Sequence, residues 1–315
     1  MLTGPWIQVP IEINSFEDVK LVLDQIEPLK NYLWLAKLFS LEENNLDILK
    51  YNCFYYLLGM LLGDGAMCKG NSRRFTTRRI TLNMTKAHKT NKKICQYTEM
   101  CCNLIGLRMK RTKDDSPNKK SKHYFYRWQG QCSQLVEWIS SICFGLKKDE
   151  VKTYTPIKAE WLIQSPRELQ VSFLQGVADS DGYVDMGTKQ TGIISKSSIK
   201  LIESILEVLE IHYCRKYLHY GTLAVTMVNF KDAYSLPIFN PFIKSYRYKL
   251  LDKMNNANRL AHQMPKELAL EVNNILISGA SSIAVVKMLL YKYNLLVGGG
   301  SIQKRMRKLR NLGDM

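Results

Sequence analysis

Two aspartates, Asp64 and Asp181, stand in the same local setting at two places in the chain. Each closes an apolar run with small residues four apart, Gly59 and Gly63 in the first copy, Gly176 and Ser180 in the second. Residues at i and i+4 share a helix face, so each run predicts a short helix with a flat strip where another backbone can approach closely. Packed strip to strip, two such helices would set their C-terminal carboxylates side by side. A carboxylate at the negative end of a helix dipole is unfavourable without a cation, and two together call for a divalent metal. The glycine that follows each, Gly65 or Gly182, is expected to take the positive φ that leaves a helix.

A lone Asp-Gly after a helix is ordinarily only a turn, and a Gly-x-x-x-Gly strip can be a membrane dimer face. Phe54–Leu62 is too short to span a membrane and ends in an acid, and the repetition argues against a chance turn. Leu57-Leu58-Gly59-Met60-Leu61-Leu62-Gly63-Asp64-Gly65 and Leu174-Gln175-Gly176-Val177-Ala178-Asp179-Ser180-Asp181-Gly182 resemble the motif of the LAGLIDADG homing endonucleases, specifically the single-chain kind with two motifs. Leu62 stands where the motif's first acid usually stands; the second copy keeps both acids.

The resemblance implies an α+β fold of two pseudo-symmetric αββαββα repeats whose antiparallel sheets form a saddle. It implies that the second acid of each motif, Asp64 and Asp181, binds metal, Mg²⁺ or Mn²⁺, with backbone carbonyls near Gly63 and Ser180. The implied reaction is a hydrolytic double-strand cut across the minor groove of a long DNA target, leaving short 3′ overhangs. A basic shell should surround the reacting phosphate. Lys86 and Lys196, in Thr85-Lys86 and Ser195-Lys196, match one family pocket position; Lys244, with Lys147 or Lys148 in the first half, is a candidate for the other. Any one of these lysines has a plain phosphate contact as its bland alternative.

The formal charge of +17 and pI near 9.4 point to a polyanionic partner. From Lys69 to Arg127 there are 17 Lys or Arg against Glu99, Asp114 and Asp115. They sit among Thr, Asn and Tyr in strand-like runs, which suits double-stranded DNA better than the basic amphipathic helix of a membrane binder. Side chains that alternate onto the groove face would read the target: Thr77, Arg79, Thr81, Asn83, Arg108, Lys110 and Arg127 in the first half, Asp185, Lys189, Lys216, Thr222 and Thr226 in the second. Ile80, Leu82, Leu223, Val225 and Met227 read as core. The eight cysteines form no C-x-x-C pair, so no structural zinc is indicated, and free thiols fit a reducing compartment. Met1–Lys20 has no apolar core run, no stretch is long enough for a transmembrane helix, and an intracellular setting is expected, prokaryotic cytoplasm or organelle.

In order, the chain reads as a helical extension (1–50), a first repeat (51–150), a linker (151–165) with Pro156 inside it, a second repeat (166–255) and a C-terminal helical unit (256–315). In that unit, Pro265 opens one helix, Ser281–Tyr291 forms another, and a basic helix carries Lys304, Arg305, Arg307, Lys308 and Arg310 in the order of a helix-turn-helix reader. It is expected to pack only lightly on the saddle. A chain with both motifs needs no second copy, so a monomer is expected. Two other readings share the fold: an intron RNA maturase and a non-catalytic DNA-binding regulator. Retention of both aspartates favours the nuclease. The ends lack the nucleophile and His-Asn pair of self-splicing, so an intact intein is not expected.

Overall fold

The computed structural model describes residues 8–29, 32–41, 45–69, 78–85, 89–107, 110–112, 125–131, 134–147, 149–217, 223–227, 229–259 and 264–313, with side chains omitted at 67–69, 78–85, 89–91, 110–112, 125–131, 226, 259 and 310–313. Helices α1 (Phe16–Asp24) and α2 (Tyr32–Leu38) precede the first repeat, in which α3 (Leu46–Leu62), β1 (Gly65–Lys69), β2 (Arg78–Thr85), α4 (Lys89–Leu104), β3 (Lys110–Thr112), β4 (Phe125–Gln131) and α5 (Gln134–Trp138) follow one another. The second repeat has the same order: α6 (Arg167–Asp181), β5 (Gly182–Asp185), β6 (Gln190–Ser195), α7 (Ile199–Val208), β7 (Tyr213–Tyr217), β8 (Leu223–Met227) and α8 (Phe230–Ser235). Both sheets are antiparallel and four-stranded, ordered β1-β2-β4-β3 and β5-β6-β8-β7. The fold is thus α+β with two αββαββα repeats.

The helix α3 begins at Leu46 rather than at 51. Asn45 caps it, its side-chain oxygen accepting from the Ile48 amide at 3.4 Å. From Cys53 to Leu62 every residue is buried, so the helix is apolar on all sides and runs through the core. Lys50, equally buried, donates to the carbonyls of Leu23 and Ile26 at 3.2 and 3.1 Å. The cation thereby satisfies carbonyls at the end of α1 and ties the extension to the first repeat. A π-helical turn, Ile139–Cys143, extends α5. Cys53, Cys95, Cys101, Cys102 and Cys143 are buried among the apolar side chains and take part in no disulfide.

The motif glycines depart from expectation. Gly182 leaves its helix at φ −79°, ψ 161°, and Gly65 has no positive φ either. Space is what requires glycine here: a Cβ would lie 2.4 Å from the Leu61 carbonyl oxygen at Gly65 and 2.4 Å from that of Ala178 at Gly182.

After α9 (Tyr246–Asn255) comes the C-terminal unit: β9 (Asn258–Arg259), α10 (Lys266–Ile277), α11 (Ser282–Tyr293), β10 (Leu295–Leu296) and α12 (Gly299–Gly313). It is attached more firmly than expected. The Gly299 amide donates to the Gly187 carbonyl at 2.8 Å, and the unit's buried residues join the core of the repeats. Among the described residues no helix is long and apolar enough to cross a membrane.

Candidate active site

The site is built on the contact between α3 and α6. A Cβ at Gly59 would stand 2.1 Å from the Phe173 carbonyl oxygen, and one at Gly176 would stand 2.0 Å from that of Tyr56. The two backbones therefore meet with no room for any side chain, and the relation is reciprocal across a pseudo-two-fold. Polar contacts pin the pair: Tyr55 Oη and Ser165 Oγ at 2.8 Å, Ser172 Oγ to Asn52 Oδ1 at 2.7 Å, and Tyr56 Oη to Asp179 Oδ2 at 3.1 Å.

This packing brings the two motif ends together. A Cβ at Gly63 would lie 3.1 Å from Asp181 Oδ2, so the second carboxylate rests against the end of the first motif helix. Asp64 and Asp181 are each partly accessible. Burial pushes the Asp64 carboxyl up to about 6, reinforced by the charge of Asp181, while Arg247 and Lys152 oppose the rise. Burial also raises Asp181, again against Lys152 and Arg247.

Two cations unforeseen in the sequence complete the site. Lys152 is only 5% exposed and donates to the carbonyls of Leu62 and Gly63 at 2.5 and 2.7 Å. Burial lowers its ammonium to about 8, while Asp181 and Asp64 work the other way. Arg247, on α9, donates to the Asp179 carbonyl at 2.8 Å and lies 3.4 Å from that of Ala178. Each motif helix thus has a cation on its last carbonyls, where the dipole is negative. Ser197 Oγ donates to the Lys152 carbonyl at 2.6 Å, and Lys196 Nζ stands 4.7 Å above the Tyr154 ring. The second repeat therefore holds the segment that delivers Lys152 to the first.

The remaining expected residues fall as follows. Lys196 stacks on Tyr154, and its neighbour Ser197, rather than Lys196, touches the lysine at the carboxylates. Lys244 is exposed in the turn before α9, and the cation at the α6 terminus is Arg247, three residues on. Lys86 lies outside the described residues, as do Thr77, Arg108 and Thr222. Ser180 Oγ donates to the Val177 and Gly176 carbonyls at 2.8 and 3.2 Å. The Gly63 carbonyl accepts from Lys152 at 2.7 Å; a carbonyl oxygen carries two lone pairs. Asp179 is buried at 2% exposure. Burial pushes it up to about 7, against the Tyr56 hydroxyl, the Arg247 charge and a backbone contact at Asn240.

In the first sheet, register pairs Thr81 with Ala66 and Gln129, Lys110 with Gln129, and Asn83 with Arg127, while Arg79 faces Cys68 and Gln131. Arg79, Thr81, Asn83, Lys110 and Arg127 therefore occupy one alternating set of positions, and Ile80 and Leu82 the other. In the second, Thr226 pairs with Gly192 and Cys214, and Lys216 with Ala224, opposite in parity to buried Ile193 and Val225. The Asp185 carboxylate is engaged locally: it accepts from the Gly187 amide at 2.8 Å and the Thr188 hydroxyl at 2.8 Å. Lys189 completes that turn at φ 57°.

The donor set fits a hard divalent cation: two carboxylates, with main-chain carbonyls beside them and a glycine leaving space at Asp181. Among the described residues no group of three or more His, Cys, Asp or Glu that could hold a metal is found.

No protein-family model and no curated protein matches the sequence. Similar solved structures include mesophilic variants of the homing endonuclease I-DmoI, at 15% identity over 59% of this chain and 93% of that one, TM-score 0.43. The homing endonuclease I-WcaI bound to its DNA recognition sequence is similar at 14% identity over 68% of this chain and 97% of that one, TM-score 0.39. The N-terminal LAGLIDADG domain of DUF199/WhiA is similar at 12% identity over 69% and 96%, TM-score 0.39.

Proposed function

We propose that this chain is a site-specific DNA endonuclease that lays a long duplex across its two sheets and cuts both strands, leaving short 3′ overhangs. The observation that carries the reading is the pair Asp64 and Asp181, held together by backbone-to-backbone helix packing and kept from ionising freely by burial. Asp64 and Asp181, with the carbonyls of Gly63 and Ser180, would hold Mg²⁺ or Mn²⁺, which supplies a water acidified for attack and stabilisation of the leaving oxygen. Lys152 keeps a proton on Nζ at neutral pH and sits within the field of both carboxylates. It balances their charge and orients the end of α3. Arg247 fixes the end of α6 in the same way. A monomer suffices, because one chain carries both acids.

One observation favours a second reading. Lys152 and Arg247 already set two cations against the acids, as a non-catalytic DNA-binding regulator of this fold would need. A randomised duplex library incubated with Mg²⁺, or with chelator, separates the two. The nuclease reading expects metal-dependent double-strand ends with 3′ overhangs converging on one sequence. Tight duplex binding with no cutting in any divalent metal would overturn it. An intron RNA maturase would instead retain folded RNA in preference to any duplex.

A further inference from the structure

The last helix carries a cationic face that a duplex laid only across the sheets would not use. α12 contains Lys304, Arg305, Arg307, Lys308 and Arg310 and no acid. Ile302 is buried, and Met306 and Leu309 pack against the core beside it, so positions 302, 306 and 309 form the inward side of the helix. Arg305 belongs to that side. Its Nε donates to Asn273 Oδ1 at 2.6 Å and its Nη2 lies 3.4 Å from the Ala269 carbonyl on α10. Lys304, Arg307 and Lys308 are exposed and, at i, i+3 and i+4, form one outward face. Like charges at that spacing repel one another, and α12 has no acid to offset them.

The face is held in a fixed place. The Gly299 amide at the start of α12 donates to Gly187 in the β5–β6 turn. A Cβ at Gly299 would lie 3.3 Å from Gly187 Cα, so the two backbones touch. The β9–β10 pairing fixes the approach from the other side. The cationic helix is therefore continuous with the tip of a hairpin in the second sheet.

We infer that the outward face of α12 is a second duplex-binding surface, which grips phosphates of DNA beyond the β5–β6 turn and makes the bound target longer on that flank. The inference rests on the duplex reading proposed above. Double-stranded DNA is the partner of choice because the face is purely cationic and joins the sheet that would already carry duplex.

The test compares the full chain with its triple variant Lys304→Gln/Arg307→Gln/Lys308→Gln, all exposed positions outside the carboxylate site. Affinity is measured against salt on a selected target and on the same target trimmed stepwise from each end, with hydroxyl-radical footprints. On the long duplex the variant should lose about 2–3 from the log–log salt slope, at roughly 0.9 per phosphate. It should also lose protection on one flank only. Trimming that flank should make the two proteins equal. Equal slopes and footprints on the long duplex would overturn this surface while leaving the endonuclease reading standing. A wild-type chain that binds no duplex would overturn both. The variant's unchanged melting temperature would show that the loss is not unfolding.

Discussion

Gly176→Ala adds a single carbon at the narrowest point between the motif helices. That carbon would stand 2.0 Å from the Tyr56 carbonyl oxygen, 2.8 Å from the Met60 nitrogen and 3.0 Å from Gly59 Cα. Carbon and oxygen at rest sit more than 3 Å apart, so the helices must separate by about 1 Å, since all three neighbours are backbone and none can rotate aside. Overpacking of a core costs roughly 1–3 kcal/mol. Here the upper end applies, because a gap of about 1 Å along the pair also forfeits a quarter to a half of each dispersion contact beside it. At about 2–4 °C per kcal/mol for a chain of a few hundred residues, the melting temperature should fall by roughly 5–10 °C. Gly300→Ala is the control: a Cβ there meets nothing within 4 Å and should move stability by less than about 0.5 kcal/mol. Differential scanning calorimetry on the two variants and wild type makes the comparison. A Gly176→Ala protein melting within 1 °C of wild type, where the precision of the scan allows about that, would refute the close packing of α3 on α6.

The other expectations concern the carboxylates. Asp64→Asn and Asp181→Asn should each abolish double-strand cleavage while leaving duplex affinity within a few-fold of wild type; full cleavage by either variant, followed on a supercoiled target, would remove the metal-ligand assignment. Lys152→Met should raise Asp64 further and move the acid limb of the cleavage profile to higher pH. It also leaves the Leu62 and Gly63 carbonyls without their donor, at a cost of about 1–3 kcal/mol in urea unfolding; an unmoved limb would exclude coupling to Asp64. Because burial raises Asp64 to about 6 and Asp179 to about 7 in the folded chain, their contribution to stability is full below the ordinary carboxylate range. It is lost as pH rises through those values. Added Mg²⁺ should therefore raise the melting temperature clearly at pH 8 and little at pH 5, and an equal rise at both would contradict the linkage.

Some of this was legible in the residues, for physical reasons that differ from place to place. The helix pair could be read because close backbone approach demands Gly59 and Gly176, and a small residue at Gly63 and Ser180 continues the strip. The order of helices and strands behind each motif is legible from periodicity and agrees with the observed elements. The start of α3 at Leu46 was hidden because a helix buried on every side has no amphipathic period. The motif marks Gly182 as special, but the reason is close contact with the Ala178 carbonyl rather than a positive φ, and such a contact leaves no local signal. Lys152 carries no signal in the sequence. It sits in a linker with no periodicity, and only tertiary structure shows that Ser197 and the end of α3 receive it. Arg247 was concealed in a run of basic residues, with a different length of chain behind it than separates Lys152 from Asp64. The contact of Gly299 with Gly187 joins residues far apart in the chain, which no local pattern announces, so the firm attachment of the C-terminal unit is not legible in the sequence.

The central claim is that Asp64 and Asp181 together hold one divalent-metal centre, and Fe²⁺-directed cleavage of the polypeptide addresses it without relying on turnover. Fe²⁺ loaded onto the duplex-bound chain, then treated with ascorbate and peroxide, should cut the backbone beside Asp64 and beside Asp181. The cuts should be suppressed by excess Mg²⁺ and lost at both places in Asp64→Asn. Cuts elsewhere in the chain, or cuts at these positions that survive Asp64→Asn/Asp181→Asn, would contradict it.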